Sequence, residues 1–158
     1  MVVQVAVCGP GQCGEPERTL AYELGRMLAS RGAAVICGGH GGVMAAVAAG
    51  ARSRDGLVVG VLPGPYRVGA GADLSVAIAT GLGQARNSVI VHSADAVVVV
   101  GGSWGTLSEL ALAVRRGGVP VVQLGDGWRP VDSDGREVPG VRHARTPAEA
   151  LDLTGLWG

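Results

Sequence analysis

Residues 95–109, DAVVVVGGSWGTLSE, run from four consecutive valines through a glycine turn into a helix-forming segment. A strand with one wet face alternates apolar and polar residues, and this one does not. Continuous β-branched runs belong to strands buried on both faces, as in parallel sheets covered by helices. The helix that follows, TLSELALAVRRGG, is stopped by Gly117 and Gly118, since glycine readily takes the left-handed conformation at a helix end.

The same strand–turn–helix unit recurs on either side. VVQVAVC (2–8) ends in GPGQCG, and Pro16 opens a helix in which Leu20, Leu24, Met27 and Leu28 recur at helical spacing before Gly32 closes it. AAVICGG (33–39) precedes a helix of small residues from near Gly42 to about Arg54. LVVGVLP (57–63), LSVAIAT (74–80) and VPVVQLG (119–125) complete six expected strands, with GLGQARNSVIVHSA starting the helix between the fourth and fifth. Residues 126–145 read as a polar surface excursion with a short hairpin, and Thr146 and Pro147 as Ncap and N1 of a last helix. Helices alternating with apolar strands give the expected fold: a single α/β domain over 1–158, Rossmann-like and doubly wound, its mainly parallel sheet covered on both faces.

Composition narrows the function. Net charge is zero, aromatic residues are 3% and Phe is absent, so neither electrostatic capture of nucleic acid nor base stacking is expected. All 13 basic residues are Arg; a pyridoxal phosphate Schiff base and a Walker A loop both need a lysine. The N-terminus lacks the basic start of a signal peptide and no apolar run is long enough to cross a bilayer, so a cytoplasmic protein without membrane partners is expected. Cys8, Cys13 and Cys37 lack metal-ligand spacing and read as reduced thiols. No metal and no resident cofactor are expected.

In a doubly wound sheet, ligands bind beyond the carboxyl ends of the strands, where strand order reverses. Three strands end there in glycine turns: CGPGQCG from Cys8, CGGHGGVM from Cys37 and GGSWGT from Gly101. Such turns expose backbone N–H groups, and a helix N-terminus adds its dipole, which suits a phosphate. None of the three fits G-x-G-x-x-G with an acidic partner, so a mononucleotide or sugar phosphate is expected in place of a dinucleotide. Thr106-Leu107-Ser108-Glu109 matches a capping box, with Thr106 at Ncap and Glu109 at N3; equally, Glu109 could face the glycine pocket and handle a proton or a ribose hydroxyl. Arg86 sits at a helix start, where the dipole disfavours a cation, and so reads as an anion holder. His40, Trp104, Tyr66 and Arg67 are weaker ligand candidates, and His92 reads as a helix-surface residue.

GGHGGVMAAVAAGA (38–51), GQARN (83–87) and GGSWGTLSE (101–109), in this order, resemble the LOG-like superfamily, long labelled lysine decarboxylases. Its best-known members are cytokinin riboside 5'-monophosphate phosphoribohydrolases, which split a nucleotide into base and ribose 5-phosphate. The resemblance spans about residues 2–125 and implies that Glu109 is the catalytic carboxylate and Arg86 its partner at the ribose. It implies phosphate contacts from Gly101, Gly102, Gly105 and Thr106, and nucleotide contacts from Gly38, Gly39, Gly42 and Met44; Ser103 and Gly9, in the same glycine turns, are further phosphate- or nucleotide-binding candidates. Val100 stands where the family's P-G-G-x-G-T-x-x-E has Pro, and Asn87 where the cytokinin enzymes carry Lys. In both respects the chain is similar to a shorter branch that includes molybdenum-cofactor carrier proteins. The implied partner is a nucleotide or phosphorylated cofactor, and the implied assembly a homodimer or larger homo-oligomer.

Overall fold

The computed structural model describes residues 1–158. Its elements follow in order: β1 (Gln4–Cys8), α1 (Glu15–Ser30), β2 (Ala34–Cys37), α2 (Val43–Arg52), β3 (Val58–Leu62) and β4 (Val76–Ala79). A 3₁₀ turn (Gly83–Ala85) then leads into α3 (Arg86–His92), followed by β5 (Ala96–Gly101), α4 (Trp104–Arg116), β6 (Val121–Gly127), β7 (Arg142–Ala144) and α5 (Pro147–Thr154). The strands form one sheet in the order β4-β3-β2-β1-β5-β6-β7, parallel at every pairing.

Alternate residues of each strand feed opposite cores. Val5, Val7, Val35, Val98 and Val122 pack with Leu24 and Leu28 of α1, Val47 of α2 and Leu151 of α5. Ala6, Cys8, Ile36, Val97 and Val99 face the other way, against Ile90 of α3 and Leu110 and Ala113 of α4. Every residue of β5 is buried, as its unbroken valines require.

Three features differ from the sequence reading. The sheet has a seventh strand: β7 pairs with β6 through Val122↔Arg142, Gln123↔His143 and Leu124↔Ala144. Only three residues long, two of them polar, it carries no apolar signal. The polar excursion is therefore shorter than 126–145, because β6 runs on to Gly127 past a bulge and β7 begins at Arg142; within it Val131 and Glu137 form the antiparallel bridge of a small hairpin. Finally, β4 is an edge strand with Val76 and Ile78 exposed, although its sequence is as apolar as a central one. No helix is long and apolar enough to cross a membrane.

Candidate functional site: the crevice between β1 and β5

From β1 the chain builds the sheet outward through β2, β3 and β4, then returns to place β5 on the other side of β1. The crevice outside the carboxyl ends of β1 and β5 is the switch point at which such folds bind ligands. The glycine turns after β1, β2 and β5 meet there. Pro10 is the wedge: its carbonyl accepts the Val43 N–H at 3.0 Å, and its ring lies 3.3 Å from where a Cβ on Gly101 would project. Two glycines are required by this closeness. A Cβ on Gly9 would come within 2.4 Å of Val43 Cγ1 and 2.7 Å of the Val100 carbonyl; one on Gly42, which has φ +61°, would come within 2.3 Å of the Pro10 carbonyl.

The predicted site residues fall into two groups. Gly102 and Gly105 are exposed beside half-buried Ser103, and first-turn N–H groups such as those of Trp104 and Gly105 lack intrahelical acceptors. Gly38, Gly39 and Met44 are buried. A Cβ on Gly38 would meet Met44 Sδ at 2.5 Å and Arg86 Nη1 at 3.0 Å, so this glycine makes room for two side chains.

The capping box does not form. Ser103 is the Ncap of α4, its Oγ accepting from the Thr106 N–H at 3.2 Å and lying 2.8 Å from Thr106 Oγ1. The helix thus starts a turn earlier than the sequence pattern suggested. Glu109 becomes its sixth residue, beyond reach of the Ncap amide, and faces inward.

Arg86, Glu109 and Cys8 converge beneath the turns. Arg86, the first residue of α3, is 8% exposed. Its Nη1 donates to the Gly38 carbonyl at 2.7 Å and the Val61 carbonyl at 2.5 Å, and its Nε to Asn87 Oδ1 at 2.8 Å. It ties the ends of β2 and β3 together, while buried Asn87 steers the guanidinium. Burial lowers the Arg86 pKa from its ordinary value and the charge of Glu109 counters that; a guanidinium stays protonated regardless. Glu109 is 7% exposed. Burial pushes its carboxyl up to about 7, with Arg86 and the Cys8 thiol drawing it back only part of the way. At neutral pH it is therefore divided between acid and carboxylate, the condition in which a group can both take and give a proton. Burial, with Glu109 beside it, raises the Cys8 thiol well above the usual range, so it stays protonated.

Two residues that sequence reasoning missed brace the β5 turn, one in β6 and one just beyond its end. Trp128 Nε1 donates to the Ser103 carbonyl at 2.8 Å. Gln123, 1% exposed, donates to the Val99 and Gly101 carbonyls at 3.2 and 3.3 Å. The signal for Gln123 was a lone amide inside VVQL; for Trp128 there was none. Trp104 is 79% exposed and leans on Trp128, ring centroids 5.3 Å apart. His40 contacts the Gly69 carbonyl, Tyr66 and Arg67 are exposed, and His92 contacts the Ser88 carbonyl at the exposed end of α3. No three His, Cys, Asp or Glu side chains are grouped to hold a metal.

The largest surface cavities lie away from Arg86 and Glu109, the first touching the glycine turns only at Gly42. One of about 600 Å³ follows α1 and α2 past Tyr22, Gly42 and Ala45. Another, of about 680 Å³, lies at the ends of β6 and β7 among Glu17, Asp126, Arg129, His143 and Arg145. Neither contains Arg86 or Glu109, and neither carries a buried charge.

Fold and site together define a Rossmann-like α/β protein whose glycine turns converge over a buried arginine and glutamate. The chain belongs to the SLOG cluster4 family, whose model matches residues 2–151. It is similar to the molybdenum cofactor binding protein of Rippkaea orientalis, with TM-score 0.86 and 33% identity over 97% of this chain and 95% of that one. The molybdenum cofactor carrier protein of Chlamydomonas reinhardtii is 31% identical, with TM-score 0.79 over 96% and 95% of the two chains. A cytokinin riboside 5'-monophosphate phosphoribohydrolase of Mycobacterium tuberculosis is 39% identical over 94 residues, 58% of this chain and 50% of that one. The LOG-like resemblance, in the short branch that includes molybdenum-cofactor carriers, is thereby borne out.

Proposed function

We propose that the crevice binds a nucleoside 5'-monophosphate and that the protein hydrolyses its N-glycosidic bond, releasing base and ribose 5-phosphate. The observation that carries this reading is Glu109: buried at the switch point, titrating near neutrality, and excluded from the helix-capping role. A phosphate cradle alone has no need of such a group, and burying it costs stability. In this reading the first turn of α4, with Gly102, Ser103, Gly105 and Thr106, receives the phosphate. Arg86 steadies the ribose through Nη2, which has no protein acceptor while Nη1 and Nε are occupied. Glu109 orients a water and takes its proton as the oxygen bonds to C1'. The C1'–N bond breaks with its electron pair going to the base, and the proton passes on to the departing nitrogen. The carboxylate also stabilises positive charge developing on the ribose.

The near-full-length likeness to a molybdenum cofactor binding protein supports a second reading, a carrier that holds a phosphorylated cofactor at the same turns without turnover. Chromatography of a nucleoside monophosphate panel, including AMP and N6-substituted AMP, separates the two. Base release by the wild type that disappears in Glu109→Gln is expected for the hydrolase. No release from any nucleotide by the folded protein leaves the carrier.

A further inference from the structure

Gln123 Oε1 is the one buried side-chain nitrogen or oxygen that has no hydrogen-bond partner. The side chain lies in β6 between buried Val122 and Leu124 and is 1% exposed. An apolar side chain like theirs would leave no orphan there, and a buried acceptor without a partner costs stability. The use of the amide is at its other end. Nε2 donates to the carbonyls of Val99, Gly101 and Leu124 at 3.2, 3.3 and 3.5 Å, and three oxygens around one end identify that end as the donor. Gly127 makes room for it, since a Cβ there would collide with both Nε2 and the Gly101 carbonyl. The β5–β6 register shifts between Val100 and Gly101, so Gln123, opposite Val99, bonds the carbonyl just past the irregularity.

The side on which that carbonyl is held sets the direction of the next amide. β5 has β1, and with it the crevice, on one side and β6 on the other. The Val100 carbonyl is on the β1 side, 2.7 Å from where a Cβ on Gly9 would project; the Gly101 carbonyl is drawn to the β6 side. Across a trans peptide the C=O and the following N–H point opposite ways, and no peptide bond here is cis. The Gly102 N–H is therefore turned toward the crevice, and it donates to no other backbone group. Nothing local fixes this. The peptide joins two glycines, and Gly101 sits at φ +73°, so rotation to the opposite orientation meets little steric resistance. We infer that Gln123 is a positioning residue for the anion site: by holding the Gly101 carbonyl on the β6 side, it aims the Gly102 N–H at the phosphate of the ligand. This role rests on a phosphate being held at the α4 turn, and not on its hydrolysis.

The test is an NMR titration of the ¹⁵N-labelled protein with AMP and with inorganic phosphate, in the Glu109→Gln background so that nothing is turned over. Gln123→Met is compared with it, because Met keeps the length of the side chain, adapts to a core and has no donor. With Gln123 present, the Gly102 amide proton moves downfield on saturation with either ligand. The Gln123 side-chain amide protons move with the same midpoint, since an anion at one end of the peptide strengthens the carbonyl at the other as an acceptor. In Gln123→Met the Gly102 shift is lost while Gly105 still responds. Both ligands then bind roughly tenfold or more weakly, as the loss of one hydrogen bond to a charged group gives. A purely structural role singles out no amide: unchanged Gly102 shifts and affinity in Gln123→Met, or equal losses at Gly102 and Gly105, overturn the inference. If Gly105 responds with Gln123 present and Gly102 does not, the inference falls and the phosphate reading stands. If no amide of the turn responds to either ligand, both fall. Should the expected order appear while the protein carrying Glu109 releases no base from AMP, Gln123 keeps its role and hydrolysis falls. Where Gln123→Met does not fold, the Gln123 side-chain protons decide: if they ignore both ligands while Gly102 moves, the inference is overturned.

Discussion

Replacing Glu109 by Gln should make the protein more stable at pH 8 and leave its stability nearly unchanged at pH 4.5. The side chain keeps its shape and loses its ionisation. In the folded protein Glu109 titrates at about 7 against an ordinary 4.5. At about 1.36 kcal/mol per pH unit, that difference amounts to roughly 3 kcal/mol. The folded pKa is the higher of the two, so between these values the folded state keeps a proton that the unfolded chain releases. The group's contribution is therefore whole below pH 4.5 and is lost as pH rises through 7. Gln, unable to ionise, loses nothing. Urea unfolding of both proteins at half-unit pH steps isolates the effect, because the remaining titrating groups are common to both. The variant's advantage should grow from near zero at pH 4.5 to about 3 kcal/mol at pH 8 and then level off. An advantage that does not change with pH, or a wild type that gains on the variant above pH 7, would refute the reasoning. Such a cost, kept at one buried group, is a common mark of a site held for function.

The turns offer further checks. Gly9→Ala places a methyl 2.4 Å from Val43 Cγ1 and should lower stability by roughly 1–3 kcal/mol; an unchanged urea midpoint would mean the turns are not clamped. Ser103→Ala removes the α4 cap and should cost about 1 kcal/mol in thermal unfolding, whereas no loss would return the cap to Thr106. Trp128→Phe keeps an aromatic ring but loses the indole N–H bond to the Ser103 carbonyl, costing about 1 kcal/mol and weakening AMP binding in calorimetry. Undiminished affinity would show that this brace does not hold the turn for a ligand.

Much of this architecture was legible in the residues. VVVV at 97–100 reads as a strand buried on both faces, and its repetition with intervening helices points to a parallel sheet. The closeness of Arg86 and Glu109 was readable because each lies near the start of a helix that follows a strand, on the same sheet edge. What escaped was set by tertiary context. β7 exists because β6 offers it a partner, not because Arg142–Ala144 has strand character. The capping box misled because both Ser103 and Thr106 are good caps three residues apart; packing chose Ser103, and with it turned Glu109 inward. The brace from Trp128 crosses 25 residues of chain, beyond anything local spacing can report.

The central claim is that the crevice between β1 and β5 receives a phosphorylated ligand on the first turn of α4. Amide shifts of ¹⁵N-labelled Glu109→Gln, titrated with AMP, test it most directly, since no turnover can consume the ligand. The account expects saturating shifts at Gly102, Ser103, Gly105 and Thr106, with smaller ones at Gly9 and Arg86. Shifts confined to the cleft around Asp126, His143 and Arg145, or none at all, would contradict it.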